Sequence, residues 1–307
     1  MRKTTARHRP RFAVMTLVMV LDATVACGSG GSSPLSTMPE TVSAHGATAS
    51  PSAPQALERL SARRLSPVYW LGENDATVYL YREFVNLPDL GDPIAAALGR
   101  MLAGKPKDPD YFSLWRPASA LGASIDAENV ITIDISRDAF ATTMDAGLAK
   151  RSIAQLVFTA TAAAANSGIL TGSAAPRVRV LVDGQARFKA FGKLELPDRL
   201  ARDYSLRAPL WVIDPQEGAV QGKGKVLVNG DGAAFSSGTH WQIQDLGAPA
   251  WPVVAGGEVP GVDPKPGDDS FAFEQPLRPG TYRLSVWGLE SGRPDKLALD
   301  TKDFGID

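Results

Sequence analysis

Hydrophobic positions divide the chain into two folded regions with different periods. Between residues 66 and 193, apolar side chains recur in some segments at every second position and in others at every third or fourth. Alternation is typical of half-buried strands, whereas the longer period is typical of amphipathic helices. Between residues 209 and 307, only short alternating runs separated by turn-forming residues occur. The pattern therefore predicts an α+β region followed by an all-β region.

The α+β region begins with a predicted hairpin and helix. Val68–Leu71 and Thr77–Phe84 are rich in aromatic and β-branched residues, and the turn-forming stretch Gly72–Asp75 lies between them. A helix follows, with Asp92 as its N-cap and Gly104 at its end. Its apolar face consists of Ile94, Ala97, Leu98, Met101 and Leu102.

A strand, a second helix and a further strand complete this region. Alternating isoleucines in Asn129–Ser136 predict a half-buried strand, and Asp145–Ala165 predicts a strongly apolar helix. The last strand, Val178–Val182, leads into the hairpin turn signal Asp183-Gly184. The resulting order, β-β-α-β-α-β, favours a sandwich with both helices on one face of a sheet.

About seven short strands are predicted in the all-β region, which is typical of a β-sandwich. Trp241 occupies the position at which an immunoglobulin-type sandwich buries its core tryptophan, and Tyr282 suits a tyrosine corner. The strands are Leu210–Ile213, Lys225–Val228, His240–Gln244, Trp251–Val254, Ser270–Phe273, Tyr282–Trp287 and Leu297–Phe304.

The N-terminus reads as an export signal, residues 1–26, followed by a tether, residues 27–65. Basic residues precede the apolar run Phe12–Leu21, which is shorter than the roughly 20 residues of a membrane span. The end of the signal, Thr24–Gly28, resembles the lipobox of bacterial lipoproteins. This resemblance implies that Cys27 carries a diacylglycerol and that the chain is anchored on the outer face of the cytoplasmic membrane. Gly28–Pro54 is polar and Gly/Ser/Pro-rich, as expected of a disordered tether.

Composition excludes several classes of function. The 307 residues carry a net charge of −1, and removal of the basic leader makes the product more acidic, so nothing suggests nucleic-acid binding. Cys27 is the only cysteine, so no internal disulfide can form. His240 is the only histidine in the folded regions, which excludes a multi-histidine metal site. We therefore expect no cofactor and no metal.

The candidate catalytic groups are few. His240 lies beside Trp241, where a role on the face of a sheet is more plausible than a role as a base. Asp134 and Asp138 could pair as acid and base, but a polar strand face and a turn cap explain them better. Gly222–Lys225 lacks the spacing of a phosphate-binding loop. The loop carboxylates Asp263, Asp268 and Asp269 either bind calcium or are simply solvated.

Three aromatic residues stand in the polar loop Lys105–Pro117. Tyr111, Phe112 and Trp115 could form a partner-binding loop, because exposed aromatic residues are frequent hot spots of interfaces. They could equally be pinned onto their own domain. The sequence leaves both alternatives open.

The order of the segments resembles that of a known pair of domains. Residues 66–193 resemble a GerMN domain, the module of spore-germination and sporulation lipoproteins, and residues 209–307 resemble the immunoglobulin-like domain that accompanies it, with 194–208 as linker. The GerMN pieces are Val68–Leu71, Asp92–Leu98, Leu102–Gly104, Val130–Ser136, Ala154–Thr159 and Val180–Gly184. The pieces of the second domain are Ile213–Pro215, Gly218, Val226–Gly230, Phe235, Trp241–Asp245, Phe271–Phe273 and Pro279–Val286.

The resemblance implies a fold similar to ring-building modules and a role in protein–protein assembly without catalysis. The sequence therefore favours a non-enzymatic, membrane-anchored module that binds envelope proteins or cell-wall polymer. Two alternatives stay open: an extracytoplasmic cell-wall enzyme that uses carboxylates, and a sensor subunit that binds a small ligand between the domains.

Overall fold

The computed structural model describes residues 65–88, 91–222, 224–232, 235–260 and 270–307. All of them belong to one compact unit. The predicted signal, the tether with Cys27, and Asp263, Asp268 and Asp269 lie outside the described residues.

Residues 65–208 form the N-terminal lobe, in which the described residues form two α-helices and eight strands. The sheet β2-β1-β3 and the sheet β4-β5-β6 each have three strands, and β7 pairs with β8. The elements are β1 (Leu65–Asn74), β2 (Thr77–Asn86), α1 (Pro93–Ala103), β3 (Tyr111–Phe112), β4 (Leu121–Ile125), β5 (Val130–Ile135), α2 (Ala146–Asn166), β6 (Arg177–Val182), β7 (Lys189–Ala190) and β8 (Leu194–Glu195).

The predicted elements form, but the sheet is divided and contains additional strands. The order β-β-α-β-α-β lacks β3, β4, β7 and β8, and it implied one sheet where the lobe has two three-stranded sheets and the pair β7-β8. Strand β3 is only two residues long, which is too short to show an alternation of apolar and polar positions in the sequence. Strand β4 reads Leu-Gly-Ala-Ser-Ile, which carries only a weak apolar alternation.

The first hairpin turns later than the sequence predicts. Strand β1 continues through Gly72 to Asn74, and the turn is made by Asp75 and Ala76, whose φ angles are 49° and 59°. Two successive residues with positive φ match the right-handed twist of the flanking strands. Gly72 serves a different purpose: a Cβ there would lie 2.8 Å from the ring of Tyr81. The glycine is therefore a packing requirement and not a turn.

Both helices begin where their caps predict. The Asp92 carboxylate accepts hydrogen bonds from the backbone N–H groups of Ile94 (3.0 Å) and Ala95 (2.9 Å). Asp145 accepts one from Leu148 N at 2.9 Å. All five residues expected on the apolar face of α1 are buried.

Helix α2 lies along the open edge of β1 and satisfies its backbone. Thr159 Oγ1 accepts a hydrogen bond from Tyr69 N (3.1 Å), and Gln155 Nε2 donates one to Tyr69 O (2.9 Å). Near the end of the helix, Asn166 Nδ2 donates to Leu65 O at 3.0 Å. Gln155 and Thr159 are fully buried, where an unpaired backbone group would be costly. These side chains take the place of a neighbouring strand beyond the short β3.

Residues 209–307 form the C-terminal lobe, a two-sheet β structure. One sheet has the order β14-β11-β9 and the other β10-β16-β15-β12-β13, with β10 parallel to β16. The strands are β9 (Leu210–Asp214), β10 (Ala219–Gln221), β11 (Lys225–Gly232), β12 (Thr239–Asp245), β13 (Val253–Glu258), β14 (Ser270–Pro276), β15 (Gly280–Glu290) and β16 (Arg293–Ile306).

All seven strands expected in this lobe are present, and β10 is an addition. Strand β13 begins at Val253 and not at Trp251, because Ala250 and Trp251 have positive φ angles of 62° and 46°. Trp241 is buried in the core between the sheets. Tyr282 OH donates a hydrogen bond to Arg278 O at 2.9 Å, as a tyrosine corner requires.

The two lobes share a continuous interface. Trp211 of β9 is buried in the hydrophobic core of the N-terminal lobe. Across the boundary, Ala298 N donates to the carboxylate of Asp75 at 3.1 Å, whereas the bond from Ala208 N to Leu80 O (3.0 Å) lies within the N-terminal lobe and fixes its last residue. In the stretch predicted as a linker, 194–208, Leu196 is buried within the same core. This stretch is therefore part of the N-terminal lobe and not a linker between the lobes.

The contact between α2 and β1 predicts a specific loss of stability in Thr159→Val. The substitution keeps the shape of the side chain but leaves Tyr69 N–H buried without an acceptor, at a cost of about 1–3 kcal/mol in free energy of unfolding. Urea unfolding measures the change. Thr132→Val on β5 is the matched control, because this half-buried threonine makes no side-chain hydrogen bond to any described residue. Equal stabilities of the two variants would refute the role of Thr159.

Candidate functional site

The candidate site is the loop of residues 105–117 between α1 and β4. It lines a groove of about 500 Å³, which is within the range of small-ligand sites. The groove continues onto the end of α1 through Leu102. Other residues on its wall are Lys105, Asp108, Phe112, Trp115 and Arg116.

The N-terminal half of the loop is fixed by a buried carboxylate. Glu83 of β2 accepts hydrogen bonds from the backbone N–H groups of Lys107 (2.9 Å) and Asp108 (2.8 Å). Glu83 and Asp108 are both almost completely buried. Because two successive backbone N–H groups point at one carboxylate, the chain turns sharply inward here and carries Asp108 into the interior.

The C-terminal half of the loop is fixed by pairing and by a tryptophan. Tyr111 and Phe112 pair with Gly72 and Leu71 as strand β3. Trp115 Nε1 donates a hydrogen bond to Ser152 O of α2 at 3.1 Å. The loop is thus attached to β1, β2 and α2.

A buried charged cluster lies beneath the loop and joins it to β16. We call Asp108, Tyr111, Asp300 and Lys302 the Lys302 cluster. Lys302 Nζ donates hydrogen bonds to the Asp108 carboxylate, to Asp300 Oδ1 (3.0 Å) and to Tyr111 OH (2.8 Å). The four residues are at most 6% exposed. One ammonium group therefore uses all three of its protons within the protein interior.

Each carboxylate of the Lys302 cluster has a further partner. Asp300 Oδ2 accepts a hydrogen bond from Val212 N of β9 at 2.7 Å. Asp108 Oδ1 accepts one from Asp110 N at 2.9 Å. The cluster therefore holds together β9, β16 and the loop, and it spans both lobes.

Burial and charge shift the pKa values of the cluster. Burial raises the pKa of Asp300, although Lys302 opposes the shift. Burial lowers the pKa of Lys302, but the carboxylates of Asp300 and Asp108 raise it by more, so that it lies above its ordinary value. Burial and the nearby Asp300 raise the pKa of Tyr111 well above the ordinary value. Lys302 and Tyr111 therefore keep their protons at neutral pH.

Aromatic contacts complete the packing of the loop. The rings of Tyr81 and Tyr111 stack at 4.6 Å between centroids, and Lys302 Nζ lies 4.5 Å from the centroid of the Tyr111 ring. Trp115 contacts the rings of Phe140 and Phe191 at 4.9 and 5.0 Å.

Comparison with known proteins gives only partial likenesses. The sequence matches no family model and no curated protein. It is similar to the first GerMN domain of the sporulation protein GerM from Bacillus subtilis, at 14% identity over 45% of this chain and 97% of that chain, with a TM-score of 0.36. It is also similar to the tandem GerMN domains of GerM, at 11% identity over 69% of this chain and 60% of that chain, with a TM-score of 0.38.

A third similar structure matches a smaller part of the chain. It is CopC from Methylosinus trichosporium OB3b, at 16% identity over 32% of this chain and 93% of that chain, with a TM-score of 0.24. Two of the three structures are GerMN domains, the family that residues 66–193 resemble. With TM-scores below 0.5, these likenesses carry no information on function.

The aromatic residues of the loop are placed differently from one another. Tyr111 is 6% and Trp115 is 5% exposed, which favours the alternative in which they are pinned onto their own domain. Phe112 is only half-buried and lines the groove. All three line the groove, and Phe112 is the most exposed of them.

The other polar candidates have structural partners. His240 Nε2 is 2.9 Å from Ser237 O, and the His240 ring stacks on Trp287 at 6.2 Å. Asp134 accepts a hydrogen bond from Gly184 N at 3.0 Å. Hydrogen bonds from Ser136 and Ser119 lower the pKa of Asp138. In the described part of the chain, no group of three or more metal-ligating side chains is close enough to hold a metal ion.

Sequence reasoning missed the Lys302 cluster, although a signal for it exists. The alternating residues Ala298, Phe304 and Ile306 of β16 are buried, and Asp300 and Lys302 share their face. Two opposite charges at core positions of a strand require partners inside the protein. The partner Asp108 could not be identified, because it lies 194 residues from Lys302.

No helix in the described ranges combines the length and the apolar character that a membrane span needs. The predicted anchor, Cys27, lies outside these ranges.

The Lys302 cluster predicts a large effect of Lys302→Met. The variant leaves Asp108 and Asp300 buried without a cation, so we expect a loss of about 3–5 kcal/mol in free energy of unfolding. Adding Asp108→Asn to this variant should restore part of the loss, because one buried charge is removed. Urea unfolding of both variants tests the expectation. If the double variant is less stable than the single one, the charge argument fails.

The raised pKa values predict loss of stability at alkaline pH. Unfolded tyrosine and lysine release their protons at pH values near 10, whereas folded Tyr111 and Lys302 hold theirs. Their contribution is therefore complete below about pH 10 and is lost as the pH rises through the folded pKa values.

Unfolding measured at pH 9, 10 and 11 tests this expectation. Tyr111→Phe should weaken the dependence on pH, whereas Tyr204→Phe, at an exposed ring, should leave it unchanged. The same dependence in Tyr111→Phe as in the unchanged protein would contradict the assignment.

Proposed function

We propose that the protein is a non-enzymatic binding and assembly module of the cell envelope, anchored outside the cytoplasmic membrane through Cys27. The observation that carries the proposal is the exposed apolar stretch at the start of β13. Trp251, Val253 and Val254 are each about half exposed, at 49, 57 and 48%. Grouped apolar side chains on the surface of a soluble protein mark sites of contact.

The position of β13 in its sheet supports this function. It is the last strand of the five-stranded sheet, and within the described residues it pairs only with β12. Such an edge offers backbone hydrogen-bonding groups to an added strand. A binding partner would thus gain both backbone pairing and apolar contact.

Trp251 is held in place by its own lobe. The guanidinium group of Arg283 lies 5.4 Å from the centroid of its ring, and Arg283 donates two hydrogen bonds to Asp303, at 2.6 and 2.8 Å. Gln244 Nε2 donates a further bond to Trp251 O at 3.1 Å. An exposed side chain that is fixed before binding loses little entropy on contact.

The perturbed buried groups support binding in preference to catalysis. Asp300, Lys302 and Tyr111 use their polar atoms on one another, on Asp108 and on the backbone of β9. A catalytic acid or base must reach a substrate, whereas these side chains are at most 6% exposed. Their arrangement favours a structural role, in which the buried cluster keeps the two lobes and their binding surfaces rigid.

The resemblances found in the sequence agree with this function. GerMN domains occur in sporulation and germination lipoproteins, and a sandwich with β14-β11-β9 opposite β10-β16-β15-β12-β13 suits an immunoglobulin-like domain. The lipobox resemblance supports a lipid anchor at Cys27, and the domain resemblance supports envelope proteins or cell-wall polymer as partners.

Photocrosslinking in cells tests the function. A photoreactive residue at Val253 should capture an envelope protein, whereas the same residue at exposed Lys193 should not.

Cys27→Ala should abolish lipid labelling and membrane retention, and with them the capture at Val253. Membrane retention of Cys27→Ala would refute the anchor. Failure of capture at Val253, with hydrolysis of purified cell wall by the protein, would refute the binding role.

A further inference from the structure

The groove of the loop carries two exposed cationic residues. Lys105 stands near its start and Arg116 near its end, and both line the groove. Neither has a carboxylate partner among the residues that the structure describes. Two cations on the wall of one groove raise the local concentration of anions, and the effect weakens with salt.

Asp108, the acidic residue in the lining of the groove, does not form an ion pair with either cation. Asp108 is 1% exposed, and its carboxylate accepts the hydrogen bond of Lys302. Its carboxylate shares the Lys302 ammonium group with Asp300 in the interior, and it forms no ion pair with Lys105 or Arg116. The groove presents Lys105 and Arg116 to the solvent.

The wall of the groove is also apolar. Half-buried Phe112 and the buried side chains of Leu102 and Trp115 contribute to it. A ligand that fits this wall carries apolar groups as well as negative charge. A peptide with alternating acidic and aliphatic side chains has both, whereas an anionic polymer of phosphate groups has only the charge.

The groove is held in shape before any ligand binds. Arg116 N donates to Ala139 O at 3.2 Å, and Arg100 Nη2 donates to Lys105 O at 2.7 Å. These bonds fix the backbone at both cationic positions. A preformed site loses less conformational entropy on binding than a mobile loop does.

We infer that the groove of residues 102–117 binds an acidic peptide segment of a partner, with Lys105 and Arg116 contacting its carboxylates and Phe112 contacting its apolar side chains. This inference rests on the proposed binding function and names the chemistry of a partner for a second surface. The groove and the exposed stretch at β13 have no residue in common, so each can be altered without changing the other.

Fluorescence anisotropy with the full chain tests the inference. The probe is a fluorescein-labelled dodecapeptide of alternating glutamate and leucine, and its counterpart has glutamine in place of glutamate. We expect the acidic peptide to bind at least about ten-fold more tightly than its counterpart, a difference that two charge contacts can supply. We also expect its affinity to fall as salt rises.

Two charge-matched double variants locate the site. Lys105→Gln with Arg116→Gln should weaken binding of the acidic peptide at least about five-fold. Lys189→Gln with Lys193→Gln removes the same charge from exposed positions outside the groove and should leave the affinity unchanged. Phe112→Ser should weaken binding of both peptides, because it removes the apolar contact.

Three results would overturn the inference. These are equal affinity for the two peptides, equal loss in the two double variants, or displacement of the peptide by inorganic polyphosphate at the same charge concentration. The last result would show a general attraction of anions. Capture of a partner at Val253 in cells would still stand in each case, so failure of the groove and failure of the binding function are distinguishable.

Discussion

The ammonium group of Lys302 is the interaction on which the relation of the two lobes depends. It lies 4% exposed between a carboxylate of its own strand and one carried in by a loop of the other lobe. Removing a charge from water is expensive, and only close partners offset the cost. Lys302 is satisfied only while Asp108 stays in place, and Asp108 stays in place only while Glu83 holds the loop. Correct folding of the loop and docking of the lobes are therefore coupled.

The requirement that buried polar groups have hydrogen-bond partners also governs the edge of β1. A strand that is buried on both faces cannot leave its backbone without partners. Only two residues of β3 pair with it on this side, so Gln155, Thr159 and Asn166 of α2 complete the pairing. A helix with polar side chains at buried positions thus behaves here as a sheet neighbour. In both places, polar groups inside the protein fix the relative position of elements that apolar packing alone would leave free to slide.

Local signals in the sequence predicted elements better than they predicted connections. The helix ends are determined by hydrogen bonds between residues that are close in the sequence, at Asp92, Asp145 and Gly104. For this reason the sequence alone predicts them. The division of the N-terminal strands into two sheets depends on β3, whose two residues pair with Gly72 and Leu71 only after the loop has folded. The Lys302 cluster depends on a contact across 194 residues. Such information lies in the packing of the whole chain.

The aromatic residues of the loop 105–117 differ in burial, and this difference separates side chains that support the loop from the side chain that is available for contact with a ligand. Tyr111 and Trp115 are buried, form hydrogen bonds and give the loop its shape, whereas Phe112 is the most exposed aromatic side chain in the lining of the groove. In the function proposed above, a tether would let the folded part move freely while the lobes stay fixed to one another. Under that arrangement, the groove and the β13 edge keep a constant spacing. A partner that meets both surfaces is then selected by geometry as well as by chemistry, because the second contact follows the first at a high effective concentration.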